Sequence, residues 1–295
     1  ANGKGLKYLH GVEVYLTAAL EPKQRDNYHT ILIAKNFEGV KEINTLIDLS
    51  TQSDHMYYKP RITFDEFFNI SDNVIKISAC LASPLSKYPN FIGKLVDEKI
   101  AELEKNKETE ANRLYTELNS EAARNQWIED DTIIHNTSYE IYVEQCIEKS
   151  NNAFDLQIEE AKSELENAKI VYDKLMKTYD YYEIQPHVKS MDQIRYNKML
   201  YEASKKYNKP LIAGTDTHSI DSYKAECRSI LQKAKHIEFS NEDEFDLTYK
   251  SYDELVDMFR QQGSLPMDVV LEAIENTNRM ADSVTDYELD TAFKY

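Results

Sequence analysis

Apolar and polar positions divide this chain into two kinds of text. In the first third, β-branched and apolar runs predict strands at Val12–Leu16, at Tyr28–Ala34 and at Val74–Ala79, the last running into Cys80. Between them, Val40, Ile43 and Ile47 give helical spacing over Phe37–Leu49. A short helix is predicted within Ile62–Phe68, where Thr63 and Glu66 have the spacing of a capping box. From about residue 90 to residue 177 the text is charged and helical. There Phe154, Ile158, Ala161, Leu165, Ala168, Tyr172 and Leu175 recur at steps of four and three, a heptad stripe. A weaker stripe is formed by Val96, Ile100 and Leu103. These stripes predict an antiparallel helix hairpin with a shorter helix, Tyr139–Lys149, between its arms. Such a stripe packs neighbouring helices together or docks a partner. Strand text resumes at Tyr181–Ile184, followed by a helix over Asn197–Tyr207 and a strand from Leu211 that ends near Gly214. Helix is predicted from Ser219 to about Lys235, a short strand at Leu247–Tyr249, and two closing helices at Asp253–Arg260 and Met267–Ala281. Strands alternating with helices predict an α/β fold, either a parallel barrel or an open sheet.

Charge and composition narrow the function. The 295 residues carry 35 basic and 52 acidic side chains, a net charge of −17, which argues against a broad nucleic-acid-binding surface. It leaves room for a local site where metal cations reverse the field. The three cysteines, Cys80, Cys146 and Cys227, have no framework spacing and fit a reduced, cytoplasmic protein. No apolar run is long enough for a membrane span, and no signal peptide opens the chain. The start, Ala1-Asn2-Gly3-Lys4-Gly5, leads at once into a strand, which is expected of entry into the middle of a fold.

The candidate chemistry lies at the strands. Leu211-Ile212-Ala213-Gly214-Thr215-Asp216-Thr217-His218 ends an apolar strand in a carboxylate and an imidazole two residues apart, which would share one face of an extended chain. Glu13, His29 and Cys80 lie in or just after the earlier strands. Carboxylate, imidazole and thiolate are the usual zinc ligands. Each residue also has an ordinary explanation: Glu13 as an edge carboxylate, His29 as a satisfied core histidine, Cys80 as a small buried hydrophobe, and the Asp216–His218 pair as a surface turn.

Taken in order, these segments resemble the PHP (polymerase and histidinol phosphatase) domain of bacterial DNA polymerase III α-subunits. Gly11-Val12-Glu13-Val14-Tyr15 is similar to the family's strand with a bridging Glu. Tyr28-His29, with Ala34-Lys35-Asn36 and Glu38-Gly39 after it, is similar to its next ligand His and helix start. Tyr57-Tyr58-Lys59-Pro60-Arg61-Ile62 and Ser78-Ala79-Cys80-Leu81-Ala82 are similar to segments of the polymerase branch, the second carrying a Cys ligand. Thr215-Asp216-Thr217-His218 resembles the last ligand pair, and Leu271–Ala281 the closing helix. The chain departs from the pattern at its start. The family's His-x-His and Asp-His-Gly motifs do not occur before Glu13. The Asp54-His55 pair comes too late in the order and is followed by Met56. In Gln185-Pro186-His187, Pro186 stands where the family has an acid, which leaves His187 an uncertain site residue.

The resemblance implies a distorted TIM-like (β/α)7 barrel of the PHP type with a helical insertion. Residues 1–89 and 179–285 would be the two parts of the barrel, 90–178 the insertion and 286–295 a linker toward a following domain. It implies metal ligands at Glu13, His29, Cys80, Asp216 and His218, holding zinc in preference to manganese or iron because of the Cys. It implies phosphoesterase chemistry, in the polymerase context a 3′–5′ exonuclease, reduced by the missing motifs. The implied partners are polymerase domains of the same chain or complex, and DNA through them. The alternatives are a stand-alone metal-dependent phosphoesterase, or a non-catalytic scaffold whose helical insertion docks a protein partner.

Overall fold

The computed structural model describes residues 7–21, 24–129, 138–236 and 245–288, which form two compact units. One unit is Ala1–Tyr88 with Asp173–Tyr295; the other is Pro89–Tyr172. In the first, β1 (Gly11–Thr17) and β2 (Tyr28–Ala34) pair antiparallel, with Tyr15 opposite His29. β3 (Arg61–Thr63) joins β1 in parallel, and β4 (Val74–Ile77) joins β2 antiparallel, giving the order β3-β1-β2-β4. β5 (Tyr182–Ile184) and β6 (Leu211–Ala213) form a parallel pair, and a single bridge from Ile77 to Tyr181 links β4 to the start of that pair. The unit is mixed α/β, but among the described residues its strands do not close into a barrel. Nor is its larger sheet parallel. β1 and β2 follow one another with no helix between them, so the chain has no crossover with which to make them parallel.

Sequence signals fix the helices of this unit locally. α1 (Phe37–Ser50) starts at Asn36, whose side chain accepts from the Gly39 N–H at 3.0 Å. The predicted capping box at α2 (Phe64–Phe68) is present, with Thr63 and Glu66 satisfying each other's backbone N–H groups. α6 (Met191–Tyr207) ends on left-handed Asn208 and leads into β6. α7 (Ser222–Ala234), α8 (Tyr252–Gln262) and α9 (Met267–Asp282) complete the unit. Residues 247–249 form only an isolated bridge, Thr248 with Ser219, where a strand was expected. Asp246 explains this, because its side chain accepts from the Thr248 N–H and hydroxyl and folds the segment into a turn. The core has two parts. Ile75, Ile77, Ile212, Met280 and Val284 cluster between β4, β6 and α9, with Asn276 Nδ2 donating to the Leu211 carbonyl at 2.8 Å. Tyr28, Phe64, Phe67 and Tyr179 form an aromatic group, tied by a 2.6 Å hydrogen bond between Thr30 and Tyr179.

His55 is a structural residue. It is buried, with Nδ1 2.8 Å from Asp54 and Nε2 2.8 Å from Glu66, so it braces the capping box of α2. Burial pulls its pKa down, but the hydrogen bonds to Asp54 and Glu66 outweigh burial and hold it above 6.5. The stability it contributes is therefore full below the unfolded value and is lost as pH rises through the folded one. The melting-temperature advantage of the native chain over His55→Gln is expected to narrow as pH rises above about 6.5. A gap that widened with pH would contradict this assignment.

The second unit is helical. α3 (Pro84–Leu118) and α5 (Tyr139–Thr178) begin and end in the first unit, and α4 (Glu121–Glu129) lies between them in sequence. Ion pairs Lys99–Glu164 and Lys107–Asp155 show that α3 and α5 run antiparallel. The heptad stripe faces inward: Ile158, Ala161 and Ala168 are buried, as is Val96 of the facing stripe, whereas Leu156 and Ile170 are exposed. The short middle helix is not Tyr139–Lys149, which is the first part of the 40-residue α5. Ser150-Asn151-Asn152 resembles a break, but without Gly or Pro it costs little in a helix held by packing.

Candidate metal centre

Strand pairing assembles the first part of the site. Glu13 and Tyr15 share a face of β1, and His29 lies opposite Tyr15, its ring meeting the tyrosine edge-on at 4.9 Å. His29 Nδ1 is 3.3 Å from Glu13 Oε1 and 3.8 Å from Cys80 Sγ. Cys80 follows β4 in a loop tied to β2 by the His29 N–H donating to the Ala82 carbonyl at 3.0 Å. Around a tetrahedral zinc, nitrogen–oxygen and nitrogen–sulfur edges of about 3.3 Å and about 3.6 Å follow from the usual bond lengths. The donor set and these two spacings thus fit zinc. Among the described residues, however, no three His, Cys, Asp or Glu side chains are arranged to hold an ion as they stand. The Glu13 side chain is 41% exposed, against 24% for His29.

Asp216 and His218 reach the same place by a different route from the one expected. β6 ends at Ala213, and the pair lies in the following loop, so strand alternation does not align them. Asp216 takes a left-handed backbone, φ 50°, and His218 Nδ1 comes within 2.6 Å of the Asp216 carbonyl and 4.0 Å of its carboxylate. Ala79, just before Cys80, and Tyr58 have similar positive φ values. Conformations this costly for non-glycine residues gather at functional sites.

Glu183, which the sequence reading did not select, is the buried carboxylate of the cluster. Its Oε1 accepts from Gln185 Nε2 at 2.7 Å, and Gln185 Oε1 in turn lies 3.2 Å from His187 Nε2. With the amide donating to Glu183, the Gln185 oxygen must accept, so His187 carries its proton on Nε2. His187 Nδ1 is then an acceptor, buried without a hydrogen-bond partner among the described residues. His187 is fully buried behind the strand end, against Phe245, and does not join Glu13, His29 and Cys80. Asn197 and Gln262 hold the Gln185–His187 segment through its backbone. A Cβ at Gly214 would lie 2.1 Å from Glu183 Oε1, so glycine there makes the space that this carboxylate fills. The available signal was an acid inside a short apolar strand facing a glycine just past the next strand.

The charges confirm which groups face one another. Burial, then Asp216, raises the Glu13 pKa, while Lys59 and His218 oppose the rise. Burial raises Glu183 to about 7, against the Gln185 hydrogen bond and with help from Asp216 and Glu13. Burial, with Asp216, Glu183 and Glu13, pushes the Cys80 thiol up to about 12. Burial, with Lys59, Lys87 and His218, lowers His29 to about 4, so its ring is neutral at neutral pH. Glu13, Cys80, Glu183 and Asp216 thus lie within one another's fields, with His218 and Lys59 as counterparts at Glu13.

The PHP domain family model matches residues 1–121, which contain Glu13, His29 and Cys80. DNA polymerase III subunit alpha of Borreliella burgdorferi is 26% identical over 98% of this chain, and that of Aquifex aeolicus 27% over 44%. That of Chlamydia pneumoniae is 32% identical over 28%. The chain spans 19%, 12% and 7% of these relatives' lengths. Residues 1–121 thus match the PHP domain family, and the chain is similar, at low identity, to DNA polymerase III α-subunits.

Proposed function

We propose that this chain serves DNA replication as the PHP domain of a DNA polymerase III α-subunit, and that its strand-end cluster is a metal-dependent phosphoester site. The observation that supports the site is the convergence of Glu13 and Cys80 on one ring nitrogen, Nδ1, of the neutral His29. Glu13, His29 and Cys80 would hold one zinc, with Asp216 and His218 beside it, and polymerase domains would lie elsewhere in the same protein. The fold is read as a TIM-like barrel of the PHP type interrupted by the helical unit, and the chain as cytoplasmic. No helix among the described residues is long and apolar enough to cross a membrane.

Bound zinc supplies Lewis-acid polarisation of a phosphate oxygen and a water whose pKa falls toward ~7. The chain's own groups set the conditions. His29 presents a neutral ring, Glu13 a partly exposed carboxylate, and Cys80 a partly buried thiol whose proton must leave before it can ligate. The Glu183–Gln185–His187 chain fixes the strand end behind them. A second reading, a non-catalytic scaffold, is favoured by the unclosed ligand set. The test is digestion of a 3′-labelled single-stranded oligonucleotide by the chain with added Zn²⁺ or Mn²⁺. Metal-dependent release of the terminal nucleotide is the expected result. Metal uptake without release would favour the scaffold.

A further inference from the structure

Lys59 belongs to the site but is not a metal ligand. Its Nζ lies 4.2 Å from the centroid of the Tyr15 ring, which in turn meets the His29 ring. Its charge is felt at both Glu13 and His29. The backbone that carries it is tightly constrained. The Tyr57 N–H donates to the Lys59 carbonyl at 3.2 Å, Tyr58 sits at φ 58°, and Pro60 follows with its fixed φ. Arg61 then packs its guanidinium on the Tyr57 ring and donates to the Gln24 carbonyl. Lys59 as a residue is half-buried, and among the described residues its ammonium has neither a hydrogen-bond acceptor nor an ion-pair partner. Lys250, whose charge is felt at His187, differs in this respect: its ammonium is occupied by Asp246 and Thr248.

A site lined by Glu13, Glu183 and Asp216 repels an anionic substrate unless fixed cations face it. Lys59 is such a cation, held on a rigid turn with three unused N–H donors. We propose that Lys59 anchors a phosphoryl oxygen of the substrate beside Glu13, His29 and Cys80. The assignment rests on the phosphoester reading of that site. Lys59 would orient the phosphorus for attack without taking part in proton transfer.

The test is calorimetric titration of the zinc-treated 295-residue chain with inorganic phosphate and, in parallel, with a thymidine dinucleotide. Zinc per chain is measured on each sample. Lys59→Met is expected to weaken binding by about tenfold or more, as loss of a charge-assisted hydrogen bond does. Lys59→Arg should keep most of the affinity, and zinc content should be unchanged in both variants. A loss with both ligands assigns the anchor to any phosphoryl group, and a loss with the dinucleotide alone assigns it to a diester. Zinc uptake with unchanged affinities in Lys59→Met would overturn the anchor and leave the metal site standing. Lys59-dependent phosphate binding in a chain that takes up no zinc would keep the anchor and remove the metal site. No binding of either ligand by the native chain would also overturn the anchor.

Discussion

Gly39→Ala is expected to destabilise the first unit by about 3 kcal/mol, a melting temperature lower by roughly 6–12 °C. Gly39 lies in the first turn of α1, and a Cβ there would stand 2.2 Å from the Asn73 carbonyl oxygen and 3.2 Å from the Ala34 Cα. Both are backbone atoms and cannot rotate away. The Asn73 carbonyl is also fixed from the other side, accepting from the Lys35 N–H at 2.8 Å. The Asn73 side chain is bonded to Asn36, which caps the helix. The helix must therefore move off β4, breaking the cap and opening the core beneath Val40 and Ile43. Chemical denaturation of the two chains measures the difference. A loss below about 1 kcal/mol would mean that α1 does not sit this close to the Asn73 turn.

Cys80→Ala is expected to abolish zinc retention, from about one ion per chain to none after dialysis. The thiolate is the strongest zinc donor in the set, and removing it leaves one imidazole and a partly exposed carboxylate. Asp216→Asn should matter less, because Asp216 stands in the loop after β6 and acts on the site through its charge. The fold should survive the Cys80 change, since the residue is only partly buried and replacing its sulfur with hydrogen leaves a small void. Elemental analysis of protein purified without chelators gives the stoichiometry. Equal zinc in native and Cys80→Ala chains would remove Cys80 from the site.

Features set by neighbouring residues were legible in the sequence. The Thr63 cap, the heptad stripe and the strands that carry Glu13 and His29 all follow from patterns a few residues long. Features that depend on distant partners were not. The antiparallel pairing of β1 with β2 was hidden, because a strand's pattern does not state its direction. Asp216 and His218 were recognised as a pair, but a left-handed turn brings them together where strand alternation was expected. Glu183 gave only a faint signal, since its role depends on β5 lying beside Gly214, and these are some 30 residues apart in sequence. Lys59 was quoted only as part of a family segment, because the Tyr15 ring it rests on belongs to another strand.

The central claim is a zinc site built on Glu13, His29 and Cys80, and zinc K-edge X-ray absorption of the zinc-loaded chain tests it most directly. The account predicts one sulfur at about 2.3 Å with nitrogen and oxygen donors at about 2.0–2.2 Å, the sulfur vanishing in Cys80→Ala. A shell without sulfur, or a sulfur that persists in Cys80→Ala, would contradict it.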